Sequence, residues 1–363
     1  MIAPHVSSFK QLQSENLREL AGCSGFCLSV FLPPFRPGET TRYSPAAMLK
    51  DHIREAESRL AELGATKEQI ATLVEPLGRL AADPSIAEGF HWTRAILRSP
   101  KILQEFLMHI PASGMHAGGH FDLLPFVAEA ELPHEIYLLK LSSKHVALAR
   151  GGARLEAVKV PRMVETLEEF LELNQPDHDL ENRSAVGGAA GPARRVRFGT
   201  GTERETHQTY LADYYRHVDH QLAAFVRPRR ATVLLVGVEE DTSLFRSISS
   251  LAELADKTIQ RSPDDGSTDV VLLQEAFALL RGSILERNRL ALAEAKERLA
   301  PARYSEDVPQ IIQMAAQGRV GQLYIAENAS DDQLNRALIE TLTHGGETHA
   351  LPAGSVAGAA LRY

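Results

Sequence analysis

The sequence predicts an α/β protein of three domains, and three observations predict it. The chain has 363 residues, more than one ordinary hydrophobic core supports. Short apolar runs of strand length alternate with longer stretches whose apolar residues recur at helical spacing. That alternation changes character near residue 128, and again at S-P-D-D-G-S-T over residues 262–268, an acidic, turn-rich stretch. The expected domains are residues 1–128, 129–262 and 263–363. A composition 44% hydrophobic and 24% charged fits a folded globular chain.

The first domain opens with a short amphipathic helical pattern over 9–20 and an apolar strand over 26–32, stopped by Pro33 and Pro34. Residues 45–63 place Met48, Leu49, Ile53, Ala56 and Leu60 at helical spacing and end at Gly64. A second helix is expected over 67–82, with strands over 92–98 and 103–110. Cys23 and Cys27, in C-S-G-F-C, lack a second Cys/His pair for zinc and read as two reduced thiols beside a strand. The stretch M-H-A-G-G-H, holding His116 and His120, reads as a surface loop without an acid or thiol to complete a metal set.

The middle domain begins with E-I-Y-L-L-K-L-S over 135–142, the polar turn S-S-K-H, V-A-L-A-R over 146–150, and a third strand over 155–160. Turns this short make an antiparallel meander. A short helix over 163–173 follows, and then about thirty residues with no apolar period, a length that is functional or structureless inside a compact domain. Residues 206–226 form a strong helix with Tyr210, Leu211, Tyr214, Tyr215, Val218, Leu222 and Phe225 on one face. Arg204, Asp213, Arg216, His217 and His220 fall largely on the other face. A continuously apolar strand over 231–238 reads as central to a sheet. A helix is expected over 244–254 and a strand over 257–261.

The last domain has a long helix over 270–299, a helix over 308–317 closed by Gly318, and a strand over 320–326. A helix over 331–342, a strand over 345–351 and an apolar segment over 356–362 complete an α/β/α sandwich.

Charge narrows the function. A net charge of −8 gives no general reason to expect nucleic-acid binding, but phosphate responds to the local field and not to the sum. The N-terminus has no charged segment followed by an apolar one, and no apolar run spans a bilayer, so a cytoplasmic protein without a membrane partner is expected. Residues 182–198 read N-R-S-A-V-G-G-A-A-G-P-A-R-R-V-R-F. Arg183, Arg194, Arg195, Arg197 and Arg204 surround the paired Gly187 and Gly188, and Glu203 is the only acid between Arg183 and Arg204. Guanidinium groups match phosphate bidentately, so the cluster suits salt-sensitive RNA binding. The plainer readings are a flexible, merely basic loop, expected to be mobile in isolation. No metal site and no cofactor are expected.

In this order, meander, Gly-Gly loop, R-V-R-F, the helix H-Q-T-Y-L-A-D-Y-Y-R-H-V-D, the strand V-L-L-V-G-V and I-I-Q-M-A-A-Q-G-R-V-G-Q-L-Y-I, the chain resembles the archaeo-eukaryotic class I release factors and Pelota. It resembles their bacterial relatives more closely, including in the terminal G-A-A-L-R-Y. The resemblance covers residues 121–363; before that, V-F-L-P-P and the helix bearing Lys50 are its only marks. It implies an RNase H-like middle domain and a C-terminal domain similar to ribosomal proteins that bind kink-turn RNA. It also implies a ribosome or tRNA partner, and leaves room for a translational GTPase.

In the family a Gly-Gly-Gln loop promotes peptidyl-tRNA hydrolysis. Gly187 and Gly188 match its first two positions, and Ala189 replaces the Gln. Glycines give a threading loop freedom from bulk, and the main-chain N–H of Ala189 remains available to a developing oxyanion. The lost side-chain amide points to a factor for rescue, recycling or dormancy that is not itself an enzyme. Asn-Ile-Lys-Ser and Tyr-x-Cys motifs are absent, so stop-codon decoding is not expected. The alternative is a catalytically silent scaffold that keeps the fold.

Overall fold

The computed structural model describes residues 12, 14–35, 44–83, 86, 91–133, 135–174, 200–262 and 266–363, with the main chain alone for 200–206. It is a mixed α/β molecule that divides into two compact units, one of residues 1–132 and 277–363, the other of residues 133–276.

The first unit starts with α1 (Ser14–Ala21), β1 (Cys27–Leu32), α2 (Pro45–Glu62), α3 (Lys67–Ala82), β2 (Thr93–Arg98), β3 (Leu103–Met108), β4 (Gly114–Gly118) and α4 (Phe126–Ala130). Its antiparallel sheet has the order β3-β2-β1-β4. All six residues of β1 are buried. Leu28, Val30 and Leu32 share one face and pack against Leu49, Ala56 and Leu60 of α2 and Leu73 and Leu77 of α3. Ser44 caps α2 by accepting from the N–H of Ala47, with Pro45 at the first helical position. Thr66 and Gln69 form a reciprocal capping box on α3.

The first four residues of M-H-A-G-G-H are strand and not loop, while Gly119 and His120 follow the strand as a bend. Residues 114–118 form an edge strand on β1, with His116 opposite Ser29. Glycine and histidine are weak strand formers, but β1 has a second edge whose buried N–H and C=O groups need partners. Both cysteines are free. Burial, with Cys23 adding to it, pushes the Cys27 thiol up to about 12.

The second unit holds β5 (Ile136–Leu141), β6 (Val146–Gly151), β7 (Glu156–Val158), α5 (Leu167–Asn174), α6 (Thr200–Val226), β8 (Thr232–Gly237), α7 (Glu239–Ile248) and β9 (Leu254–Gln260). The sheet order is β7-β6-β5-β8-β9. The first three strands are the antiparallel meander, while β5, β8 and β9 run parallel. An RNase H-like sheet has this order and these directions. Tyr214, Tyr215, Val218 and Leu222 of α6 share a core with Phe170 of α5 and with Leu139, Leu148, Val233 and Leu235 of the sheet.

Several element boundaries differ from the sequence reading: α5 starts four residues later than residue 163, and β9 starts three residues earlier than residue 257. Helix α6 starts six residues earlier than residue 206, and α7 lies over 239–248 in place of 244–254. Glu239, Glu240 and Asp241 occupy the first turn of α7, where the helix dipole favours acids. Ser249 then turns extended, and the chain enters β9 at Leu254.

Helix α8 (Asp269–Arg298) is followed by β10 (Tyr304–Ser305), α9 (Val308–Ala316), β11 (Val320–Ala326), α10 (Asp332–Thr343), β12 (Glu347–Leu351) and β13 (Gly358–Leu361). Their sheet has the order β10-β13-β11-β12, with β11 and β12 parallel and β13 antiparallel to β11.

Within the first unit, the stretch around α4 ties this sheet to the N-terminal one through buried polar groups. Glu129 accepts from the N–H groups of His109 (2.8 Å) and Ile110 (3.0 Å). Glu131 accepts from the Asn288 side chain (2.6 Å) and from the N–H of Ala350 (3.3 Å), and its other oxygen lies 2.8 Å from Nδ1 of His349. Asn335 of α10 donates to the carbonyl of Phe121 (2.8 Å) and accepts from the N–H of Leu123 (2.9 Å).

Asn335→Ala strands both of those main-chain groups in a buried site, and an unsatisfied buried group costs about 1–3 kcal/mol. The substitution is expected to lower unfolding free energy by about 2–4 kcal/mol in urea titration. The exposed neighbour substitution Gln333→Ala should stay within about 0.5 kcal/mol of the unsubstituted protein. Equal midpoints for the two variants would show that the Asn335 bridge contributes nothing.

Candidate nucleic-acid interface

Arg183, Gly187, Gly188, Ala189, Arg194, Arg195 and Arg197 lie outside the described residues, between the end of α5 at Asn174 and the start of α6 at Thr200. Arg204 lies in the opening turns of α6, with its main chain alone described.

The frame that presents this segment is well defined. Helices α5 and α6 pack together through Phe170, whose ring centroid is 5.5 Å from that of Tyr214 and 5.6 Å from that of His217. Nδ2 of Asn174 donates to the Phe170 carbonyl (2.8 Å), closing the last turn of α5. Tyr214 donates to the carbonyl of Val164 (3.3 Å), and Nε2 of His217 accepts from the N–H of Val164 (3.4 Å). The segment before α5 is thereby clamped to the middle of α6. His217 therefore serves packing, whereas Asp213 pairs with Arg216 on the exposed side and His220 is exposed.

Arg227, Arg229 and Arg230 are at the other end of α6. A helix of 27 residues is about 40 Å long, so this trio is about that far from Thr200. The trio closes the helix. Arg229 lies over the Phe225 ring, 4.0 Å from its centroid, and donates to the Phe225 carbonyl. Arg230 adopts φ +50°, turning the chain into β8.

The carboxyl ends of the parallel strands β5 and β8, where open α/β sheets place ligands, hold a closed polar cluster. Tyr215 has its hydroxyl 3.2 Å from the carbonyl of Ser142 and donates to the buried Asp241 (3.0 Å). Burial raises the Asp241 carboxyl above its ordinary value, and the Tyr215 hydrogen bond works against that rise. Lys140 faces Asp269 at 3.9 Å; at the opposite, amino end of β5, Glu135 is engaged by Arg150 (3.2 Å) and by the Tyr137 hydroxyl (2.7 Å). Among the described residues no three His, Cys, Asp or Glu side chains are grouped to hold a metal ion. In the first unit, His116 and His120 line a cleft of about 530 Å³ in which Arg59 and Arg336 face Glu62, Asp332 and Glu340.

Sequence reasoning missed Asp219 and Asp241. Asp219 is buried on α6 and accepts from Ser249 Oγ (2.5 Å), from the N–H of Ser250 (3.1 Å) and from Ser250 Oγ (3.1 Å). The signal was present: Asp219 follows Val218 and precedes Leu222 by three, on the flank of the apolar stripe.

The model of the bacterial archaeo-eukaryotic release factor family 3 matches residues 136–319. No curated protein matches the chain. Among solved structures, the chain is similar to the archaeal translation termination factor aRF1 at 14% identity, covering 97% of this chain and 99% of that one, with a TM-score of 0.26. It is similar to Pelota of Archaeoglobus fulgidus at 12% identity over 74% and 79%, TM-score 0.36. It is also similar to a model of ribosome-bound archaeal Pelota and ABCE1 at 8% identity over 98% and 95%, TM-score 0.38.

A carboxyl whose pKa is raised on folding binds more protons in the folded than in the unfolded chain between the two values. Stability from Asp241 is therefore greatest below the unfolded pKa and falls as pH rises through the folded one. Asp241→Asn keeps an acceptor for Tyr215 and removes the titration, so urea unfolding followed from acid to neutral pH should lose that decline. A variant with the full decline would mean that Asp241 titrates as it does in the unfolded chain.

Proposed function

Because the chain belongs to the bacterial archaeo-eukaryotic release factor family 3, we propose that it acts in translation by binding the ribosome or tRNA, without decoding stop codons. The observation that carries this reading is the family match, which begins at β5, spans the whole RNase H-like sheet and both helices that flank the Gly-Gly segment, and ends at Arg319. Family membership makes the chain a translation-related factor; rescue, recycling or dormancy is the narrower role proposed.

The division of labour follows from residue chemistry. Arg183, Arg194, Arg195, Arg197 and Arg204 supply charge for phosphate, and Gly187 and Gly188 supply a tip without side-chain bulk. Ala189 keeps a main-chain donor but lacks the amide of the family's Gln. The factor therefore occupies its site without efficient hydrolysis of peptidyl-tRNA. Among the described residues no helix is long and apolar enough to cross a membrane.

Sedimentation of lysate should find the protein with ribosomal particles at low salt and free of them at high salt. Replacing Arg194, Arg195 and Arg197 with Ala together should weaken that binding and reduce its salt slope by roughly one unit for each phosphate no longer neutralised. Indifference to both salt and the three arginines would discard the ribosomal reading in favour of a scaffold.

Purified protein should release little peptide from peptidyl-tRNA on ribosomes, and Ala189→Gln should raise release. Robust release by the unsubstituted protein would overturn the non-hydrolytic role, leaving the ribosomal one in place.

A further inference from the structure

At one end of the C-terminal sheet, parallel strands β11 and β12 begin, antiparallel β13 ends, and the turn before β10 arrives. Three arginines meet there. Nη2 of Arg303 donates to the carbonyls of Leu361 (3.2 Å) and Arg362 (2.7 Å). Nη2 of Arg319 donates to the main-chain oxygen of Tyr363 (3.1 Å), and Nη2 of Arg362 to the carbonyl of His344 (3.1 Å). Arg303 and Arg362 are anchored on peptide carbonyls, neutral acceptors that fix the guanidinium without cancelling its charge, while Arg319 is held by a main-chain oxygen of the last residue, Tyr363.

That sets these arginines apart from others nearby. Arg281, Arg289 and Arg298 pair with Glu327, Glu286 and Glu294. Among the described residues no acidic side chain forms an ion pair with Arg303, Arg319 or Arg362. The acids at the margin are Glu340 and Glu347, each 3.8 Å from a ring nitrogen of His344 or His349.

The backbone is cut to fit. Gly318 and Gly345 turn at φ +69° and +73°. A Cβ on Gly321 would stand 3.2 Å from Cγ of Arg362, and one on Gly318 would stand 3.3 Å from the His344 ring. Glycine thus leaves room for Arg362 and His344 to lie across the strand starts. Tyr363 beside them is 69% exposed, its ring centroid 5.9 Å from the Arg319 guanidinium.

We propose that this end of the sheet docks an RNA backbone, with phosphates on Arg303, Arg319 and Arg362 and a base against the open face of Tyr363. Pre-anchored guanidinium groups match phosphate geometry, and an exposed ring beside them gives a sequence-tolerant stacking platform. The proposal deepens the translation reading and rests on it for taking the RNA to be ribosomal.

The test measures binding of the full-length protein to ribosomal RNA stripped of protein, across a salt series. Replacing Arg303, Arg319 and Arg362 with Gln should weaken binding at least about tenfold and lower the salt slope by about 2, the value for three phosphates of a single strand. Arg79, Arg289 and Arg298, each paired with a glutamate on its own helix, give a charge-matched control whose Gln substitutions should leave the slope unchanged. Lysine at positions 303, 319 and 362 should keep most of the slope. Loss equal to the Gln variant in either the control or the lysine variant would overturn the proposal, because net charge or misfolding would then explain it. So would an unchanged Gln variant, which would leave an acidic protein surface as the partner for this patch. Sedimentation with intact ribosomes separates the two readings. A protein that ignores ribosomes but binds stripped RNA through the three arginines keeps the patch and loses the translation role. The opposite pattern keeps the role and loses the patch.

Discussion

Glu131 is a part-buried carboxylate that collects the Asn288 side chain, the N–H of Ala350 and the ring of His349. Two residues earlier, Glu129 collects the main chain at the end of β3. A buried carboxylate is tolerated only when its lone pairs are filled, so these partners must arrive together or the site is costly. The partners come from β3, α8 and β12, segments more than a hundred residues apart in places. Correct placement of the short helix α4 therefore requires both sheets of the first unit to be in place. The Asn335 bridge repeats the device one turn of chain earlier, holding Phe121 and Leu123. Apolar packing alone is tolerant of sliding; a set of directed hydrogen bonds is not. The end of β12, and with it the C-terminal sheet that carries the three-arginine patch, is positioned by this seam.

The second unit solves the same problem with one helix. Tyr214 and Tyr215 of α6 are fully buried, yet each carries its hydroxyl to a polar partner at the edge of the core. Asp219, one turn further, fastens the turn between α7 and β9. Helix α6 thus fixes the segment before α5, the loop after β5 and the exit from α7 at once. Its amino end follows residue 199 in the sequence, so the Gly-Gly segment is joined directly to the most heavily anchored element of the unit.

The periodic part of this architecture is legible in the sequence. Helix α3 over 67–82 and strand β11 over 320–326 are read as found, because a capping box and an abrupt change of period mark them. The strand order of the second unit follows from the meander, the continuously apolar β8 and the family resemblance together. Strand β4 escapes a sequence reading because M-H-A-G-G-H has neither alternation nor strand propensity; the unpaired edge of β1 creates it, and an edge is a property of the assembled sheet. Helix α7 reads as shifted because its opening residues are polar and acidic, which suits a helix N-terminus but hides the apolar stripe. Asn288 and Asn335 stand in line with apolar neighbours at helical spacing, Ile284 and Leu292 for the first, Leu338 and Ile339 for the second. A polar amide in such a stripe is the sequence mark of a buried bridge, although its partner is unreadable without the fold. The Gly-Gly segment and its arginines are legible only as composition.

The RNA binding proposed for this acidic chain is no contradiction once range is considered. At physiological ionic strength charges are screened over about 8 Å. The two ends of α6 are several such lengths apart, so charges at one end of the helix do not sense those at the other. What a phosphate meets is the arrangement within one screening length. There, arginines held by carbonyls and arginines held by glutamates differ completely, although a charge count treats them alike. Arg289, paired with Glu286 through two of its nitrogens, presents a nearly neutral surface. Arg362, anchored on a carbonyl across a glycine, presents a cation. The partner of each guanidinium, rather than the sum of −8, sets the local field that a phosphate would meet.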